Sequence, residues 1–128
     1  MMVKQLAEYF ERLEKVGDIA VECLKEQIDI EAESVEQEIR ENTPEDTGGL
    51  KASFTKTKIQ DSNRYGYRLE YEGNNSKGVP YAKIANILNS GTSTIKPKRF
   101  IRKAVRKLKG LDDRATNRFE GKTNRMGN

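Results

Sequence analysis

The chain has 128 residues, of which 34% are hydrophobic and 34% charged, and its formal net charge is +4. This length allows one domain with its own core, and the modest apolar content fits an elongated or oligomeric protein better than a large isolated globule. The chain has no histidine and a single cysteine, Cys23. This composition excludes an internal disulfide, Cys/His zinc sites, and the Ser–His and Cys–His catalytic pairs.

The N-terminal residues carry Lys4, Glu8 and Glu11 where a signal peptide would have an apolar run. No stretch approaches the roughly 20 apolar residues that a membrane span needs. With one cysteine, the simplest context is a reducing cytoplasm. The sequence therefore predicts a cytoplasmic protein without membrane contact.

Charge is divided unequally along the chain. Residues 1–46 hold five Lys/Arg against fourteen Asp/Glu, a charge of −9, whereas residues 47–128 hold nineteen against six, a charge of +13. Such a dipolar chain indicates head-to-tail packing of copies, an anionic partner for the basic end, or both.

Residues 3–42 carry apolar side chains in steps of three and four, which predicts one long amphipathic helix with a candidate break at Gly17-Asp18. Pro44 should end this helix near Asn42. In the stretch that follows, Asp46 and Thr47 can bond nearby backbone amides, and we expect positive φ at Gly48 or Gly49 before Leu50 starts a half-buried run. On local chemistry alone this is a helix-to-strand turn.

Asp46-Thr47-Gly48 also matches the aspartic-protease triplet. In those enzymes the triplet follows an apolar strand that buries a carboxylate pair and raises one pKa. Here a proline and a helix precede it. We therefore predict no enzyme, with no catalytic, cofactor-binding or metal-binding residue.

The segment 52–60 reads as a strand, 61–63 as a turn, and 65–71 as a second strand with strict alternation of apolar and polar residues. The two should form an antiparallel hairpin within a sheet of two to four strands. The tyrosines at 65, 67 and 71 then share one face. That face either stacks on nucleic-acid bases or packs on a helix with its hydroxyls at the rim, and packing is favoured.

Downstream, residues 81–88 predict a short helix that ends near Gly91. Residues 98–109 predict a basic helix with an apolar face around Phe100 and seven cations elsewhere. That helix could present a solvated face, a nucleic-acid surface or a docking site for acidic protein. We expect one α+β domain over 1–109 and a flexible, polar, basic tail over 110–128.

Two motifs in this order resemble the HK97-type gene-product-ten family of tailed phages and prophages over about residues 5–108. The first comprises Pro44, Asp46, Thr47, Gly48, Gly49 and Leu50, and the second comprises Tyr81, Ala82, Gly91, Thr92, Pro97 and Phe100. The chain departs from the family at Asn89-Ser90, where an acid and an aromatic residue often precede Gly-Thr.

The resemblance implies a structural protein of the head–tail junction that completes the neck or tail as a homo-oligomeric ring, without a cofactor. It would assemble in the bacterial cytoplasm, remain in the virion and contact other neck or tail proteins. A basic lining would also tolerate nonspecific contact with DNA. The candidate interaction residues are Arg99, Arg102, Lys103, Arg106 and Lys107. The alternative is a non-sequence-specific nucleic-acid-binding protein.

Overall fold

The computed structural model describes residues 2–44 and 49–126, with side chains over 14–44 and 49–124. The protein is α+β, as predicted. Its elements are α1 (Met2–Asn42), α2 (Gly49–Ala52), β1 (Phe54–Gln60), β2 (Tyr65–Tyr71), α3 (Tyr81–Ser90), α4 (Phe100–Arg106) and α5 (Leu111–Met126).

Helix α1 runs through Gly17-Asp18 without a break and ends at Asn42, two residues before Pro44. The prediction of its C-terminus is confirmed. The last turn of a helix leaves carbonyl groups without helical partners. Two side chains bond such carbonyls here: Asn42 Nδ2 donates to Glu38 O at 2.9 Å, and Thr43 Oγ1 donates to Ile39 O at 2.6 Å.

The chain divides into two compact units, Met1–Ile30 with Gly110–Asn128, and Glu31–Lys109. In the first unit α5 packs on α1, and Cys23 and Ala115 are buried. The 16-residue helix α5 was not predicted from the sequence, whose composition indicated a polar, basic tail over 110–128. Ala115 and Phe119, four residues apart, give α5 an apolar side that its polar composition conceals. The division into a domain over 1–109 and a flexible tail stays a prediction.

The second unit contains the hairpin, whose strands pair antiparallel from Phe54 opposite Tyr71 to Gln60 opposite Tyr65. Strand β2 and the hairpin are confirmed, and the described residues form a sheet of two strands. Strand β1 starts at Phe54, later than predicted, because α2 occupies 49–52. The buried core of this unit comprises Val35, Ile39, Leu50, Phe54, Tyr71, Ala85, Phe100 and Ala104.

Helix α4 is shorter than the predicted helix over 98–109. It begins at Phe100 and gives way after Arg106 to turns that end at Gly110, where φ is +92°. Phe100 and Ala104 face the core, whereas Val105 is 48% exposed. Only a short stretch of the basic segment is therefore anchored as a helix.

Candidate interaction surface

The connection from α3 to α4 is a tightly closed loop. Helix α3 ends just before Gly91, as predicted; Gly91 has φ of +76°, and a Cβ there would lie 2.7 Å from Ile95 O and 2.8 Å from Pro97 N. Thr92 Oγ1 accepts from Ile95 N at 3.0 Å. Because every side chain except the glycine hydrogen would collide with this backbone, Gly91 determines the path of the loop.

The loop returns to the end of α3 and is held there by four hydrogen bonds. Lys98 N donates to Leu88 O at 2.9 Å, and Arg99 N donates to Asn89 O at 3.1 Å. Asn89 Oδ1 accepts from Ile101 N at 3.0 Å and from Arg102 N at 3.1 Å. Asn89 thus caps α4 from the preceding helix, satisfying two amides that begin a helix without helical partners.

Residues 96–109 contain eight Lys/Arg and no Asp/Glu. We call their exposed cations the basic surface: Lys96, Lys98, Arg99, Arg102, Lys103, Arg106, Lys107 and Lys109. The loop hydrogen bonds and the buried Phe100 and Ala104 fix the backbone that presents it. All five predicted interaction residues therefore lie on this one segment and are exposed.

Lys107 differs from its neighbours because it forms an ion pair with Glu38 of α1. Within the described side chains, Arg99, Arg102, Lys103 and Arg106 have neither an ion pair nor a side-chain hydrogen bond. These four cations are consequently not neutralised by the part of the chain that the structure describes. Lys107 has an intrachain role, whereas the other four are the better candidates for binding a partner.

One residue from each of the two motifs, Gly49 and Tyr81, lies in a close packing contact. Gly49 does not have positive φ, and Gly48, Asp46 and Thr47 lie outside the described residues, so positive φ at Gly48 stays a prediction. Gly49 lacks a side chain for another reason: a Cβ would overlap Tyr81 Oη and lie 2.9 Å from Tyr81 Cζ. The two motifs therefore meet in space.

The remaining motif residues are distributed between core and surface. Leu50 and Phe100 are buried at 1% and 4% exposure. Pro44 and Pro97 are half-buried, and Ala82 and Thr92 are exposed.

Of the tyrosine face of the hairpin, Tyr71 packs as the favoured interpretation requires. Tyr71 is buried and its hydroxyl lies 2.7 Å from Thr43 Oγ1. Lys58 Nζ lies 5.1 Å from the ring centroid of Tyr65, and Lys56 Nζ 5.4 Å from that of Tyr67. Each lysine thus makes a cation–π contact with a tyrosine ring.

The described residues contain no group of three or more His, Cys, Asp or Glu side chains that could hold a metal ion. They also contain no helix with the length and apolarity of a membrane span.

Sequence reasoning missed the Asn89 cap. Helix caps are predicted from the residue immediately before the helix, which here is Arg99. The capping oxygen instead belongs to Asn89, 12 positions before Ile101. The only local signal was the polar Asn89 at the position where the chain departs from the gene-product-ten pattern.

Comparison with protein families gives one match, to a model described as "Bacteriophage HK97-gp10, putative tail-component", over residues 4–91. The match ends at Gly91, before Thr92, Pro97 and Phe100 of the second motif. Comparison with curated proteins and with solved structures gives no match. Since the matched segment covers more than half of the chain, the chain belongs to the HK97-gp10-like family of bacteriophage tail components.

Proposed function

We propose that this protein completes the neck or tail at the head–tail junction of a phage or prophage, as a homo-oligomeric ring. The single observation that carries the proposal is the basic surface, a set of exposed cations in a chain of the tail-component family. The partners are other copies and other neck or tail proteins. Assembly takes place in the bacterial cytoplasm, and the product remains in the virion.

The acidic half of the chain offers the complementary surface. Glu14, Asp18 and Glu22 follow one another at four-residue spacing and therefore share a face of α1, where all three are exposed. A two-fold contact through identical basic surfaces would bring like charges together. A heterologous contact, with the basic surface of one copy on the acidic face of α1 of the next, avoids this repulsion and closes a ring when the rotation permits.

Such a contact is weak for each pair of charges. An exposed ion pair contributes under about 1 kcal/mol and is screened by salt. Several pairs must therefore act together. The isolated chain accordingly stays a monomer or small oligomer until a neck or tail partner templates the ring.

The proposal is tested by complementing a phage that lacks this protein with the triple variant Arg102→Glu, Lys103→Glu and Arg106→Glu. We expect loss of tail completion with an unchanged thermal unfolding midpoint. Lys107 is left intact because its reversal would place two carboxylates together at Glu38. The matched control reverses three exposed cations elsewhere, at Arg68, Lys77 and Lys83, and should complement normally. Full complementation by the first variant would show that the basic surface is only solvated.

The part of the proposal that excludes catalysis has its own experiment. We expect no peptide cleavage by the wild-type protein. Asp46→Asn should cost no more than about 1 kcal/mol of stability and leave the other properties of the isolated protein unchanged. Cleavage by the wild type that disappears in Asp46→Asn would contradict a purely structural role.

A further inference from the structure

Arg99 adopts a backbone conformation that its residue type disfavours. Its φ is +53° and its ψ +25°, the left-handed helical region, and among the described residues it is the one non-glycine with positive φ. A side chain in this region crowds the following carbonyl, whereas glycine adopts it freely. The conformation is imposed from both sides, because Lys98 N and Arg99 N bond the end of α3 and Ile101 N bonds Asn89 Oδ1.

Within the described structure, the Arg99 side chain makes no polar contact that would offset the energetic cost of this backbone conformation. It is exposed, and its guanidinium forms no ion pair or hydrogen bond there. Backbone strain of this kind persists where the surrounding structure enforces it, and it often marks a binding residue. We propose that Arg99 is the anchor of the basic surface and binds a carboxylate of a second copy of this chain. This inference rests on the proposed ring and names its central contact.

The chemistry of the partner is indicated by contacts inside the chain. Lys107, at the end of α4, already binds the carboxylate of Glu38 on α1. Lys56 likewise lies 3.3 Å from Glu36 Oε1 of the same helix. Lys107 and Lys56 thus each pair with a carboxylate of α1. The acidic face proposed above, formed by Glu14, Asp18 and Glu22, presents further exposed carboxylates of the same helix.

Arginine suits such a contact better than lysine. Its planar guanidinium can donate two parallel hydrogen bonds to one carboxylate, which fixes orientation as well as distance. Lys103 N donates to Arg99 O at 2.9 Å, so the first turn of α4, with Arg102 and Lys103, follows directly after Arg99. A carboxylate bound at Arg99 is thus held beside further positive charge.

The decisive variant is Arg99→Gly, because it should maintain or raise the stability of the fold while it weakens assembly. We expect its thermal unfolding midpoint to equal that of the wild type or to exceed it by a few degrees, since glycine relieves the strained φ. Tail completion in the complementation assay should fall at least tenfold, and weak self-association in sedimentation at low salt should be lost. Arg99→Lys keeps the charge without the planar fork and should be intermediate.

Lys103→Ala is the matched control, since it removes one exposed cation from ordinary helical backbone and should lose less than Arg99→Gly. A less stable Arg99→Gly would contradict the strain argument. If Arg99→Gly completes tails and self-associates as well as the wild type, Arg99 is not the anchor of the basic surface. If the triple variant Arg102→Glu, Lys103→Glu and Arg106→Glu nevertheless abolishes tail completion, the proposed function stands, but the role of Arg99 as anchor is rejected.

Phosphate groups could supply the anion instead of a carboxylate. Retention of duplex DNA by the wild type is measured at increasing salt, together with Arg99→Gly. We expect weak retention that Arg99→Gly does not change. Strong, salt-sensitive retention that disappears in Arg99→Gly would assign Arg99 to nucleic acid and overturn the contact with a second copy.

Discussion

The hydroxyl groups of Thr43 and Tyr71 lie 2.7 Å apart and join the end of α1 to the last residue of β2. Thr43 Oγ1 uses its single proton to donate to Ile39 O, so it accepts the proton of the Tyr71 hydroxyl. Both residues are buried, at 3% and 9% exposure. Two consecutive hydrogen bonds, from Tyr71 to Thr43 and from Thr43 to Ile39 O, therefore connect the base of the hairpin to the last turn of α1 within the unit Glu31–Lys109.

Replacing either partner should destabilise the protein, but by different amounts. Tyr71→Phe removes one hydrogen bond and leaves Thr43 bonded to Ile39 O, which should lower the free energy of unfolding by about 1 kcal/mol. Thr43→Val leaves the buried Tyr71 hydroxyl without its acceptor and should cost more, about 2 kcal/mol. The double variant should be more stable than Thr43→Val alone. Urea unfolding measures all three, and equal effects of the single variants would contradict this direction of donation.

The same pair predicts a response to alkaline pH. Burial raises the pKa of the Tyr71 hydroxyl above its ordinary 10.0, because it disfavours the phenolate more than the Thr43 hydrogen bond and the Arg40 charge favour it. Above pH 10 the unfolded chain loses this proton while the folded chain keeps it, so the folded state loses stability as pH rises. Below pH 10 the stability difference between wild type and Tyr71→Phe should be constant, and above it the difference should shrink.

Gly49 and Tyr81 provide a prediction of close packing. Gly49→Ala should lower the free energy of unfolding by about 1–2 kcal/mol, because its Cβ overlaps Tyr81 Oη. Adding Tyr81→Phe removes that oxygen and should restore part of the loss, although Cζ would still lie 2.9 Å away. A double-mutant cycle measures the coupling. Strict additivity would mean that Gly49 is needed for a reason other than Tyr81.

The elements that the sequence predicted well are those with a local cause. Pro44 determines where α1 ends, and the alternation from Tyr65 to Tyr71 determines the strand and its inward face. The resemblance to the family also rested on motifs that the structure brings together at Gly49 and Tyr81. In these cases the structure depends on the residue itself or on the alternation of its immediate neighbours, both of which the sequence shows directly.

The features that could not be predicted depend on contacts between distant residues. Asn89 caps a helix that starts 11 positions later, and the left-handed conformation of Arg99 follows from that closure. Helix α5 was missed because its polar composition carries a narrow apolar side. Its contacts with α1 are also polar: Arg118 Nε donates to Gln27 Oε1 at 3.1 Å, and Lys122 Nζ donates to Glu26 Oε1 at the same distance.

The Asn89 cap has a simple test. Asn89→Ala leaves the amides of Ile101 and Arg102 without an acceptor and should lower the free energy of unfolding by about 1 kcal/mol. Asn89→Asp keeps the acceptor and adds a negative charge beside the start of α4, so its stability should equal or exceed that of the wild type at neutral pH. Ser90→Ala, at an exposed neighbouring position, is the control. Similar losses in both Asn89 variants would show that the amide group has another role.

The last prediction concerns the packing of α5 in the unit that it forms with the first part of α1. Cys23 is fully buried, and its neighbours Ala20 and Leu24 line a cavity together with Ala115 and Phe119 of α5. In the native protein the thiol should therefore react slowly with a thiol reagent. Ala115→Asp buries an unpaired charge between the helices and should speed the reaction at least tenfold, as should truncation after Gly110. Asn117→Asp, an exposed change on the same helix, should leave the rate unaltered. A slow reaction in both Ala115→Asp and the truncated chain would show that α5 does not protect Cys23.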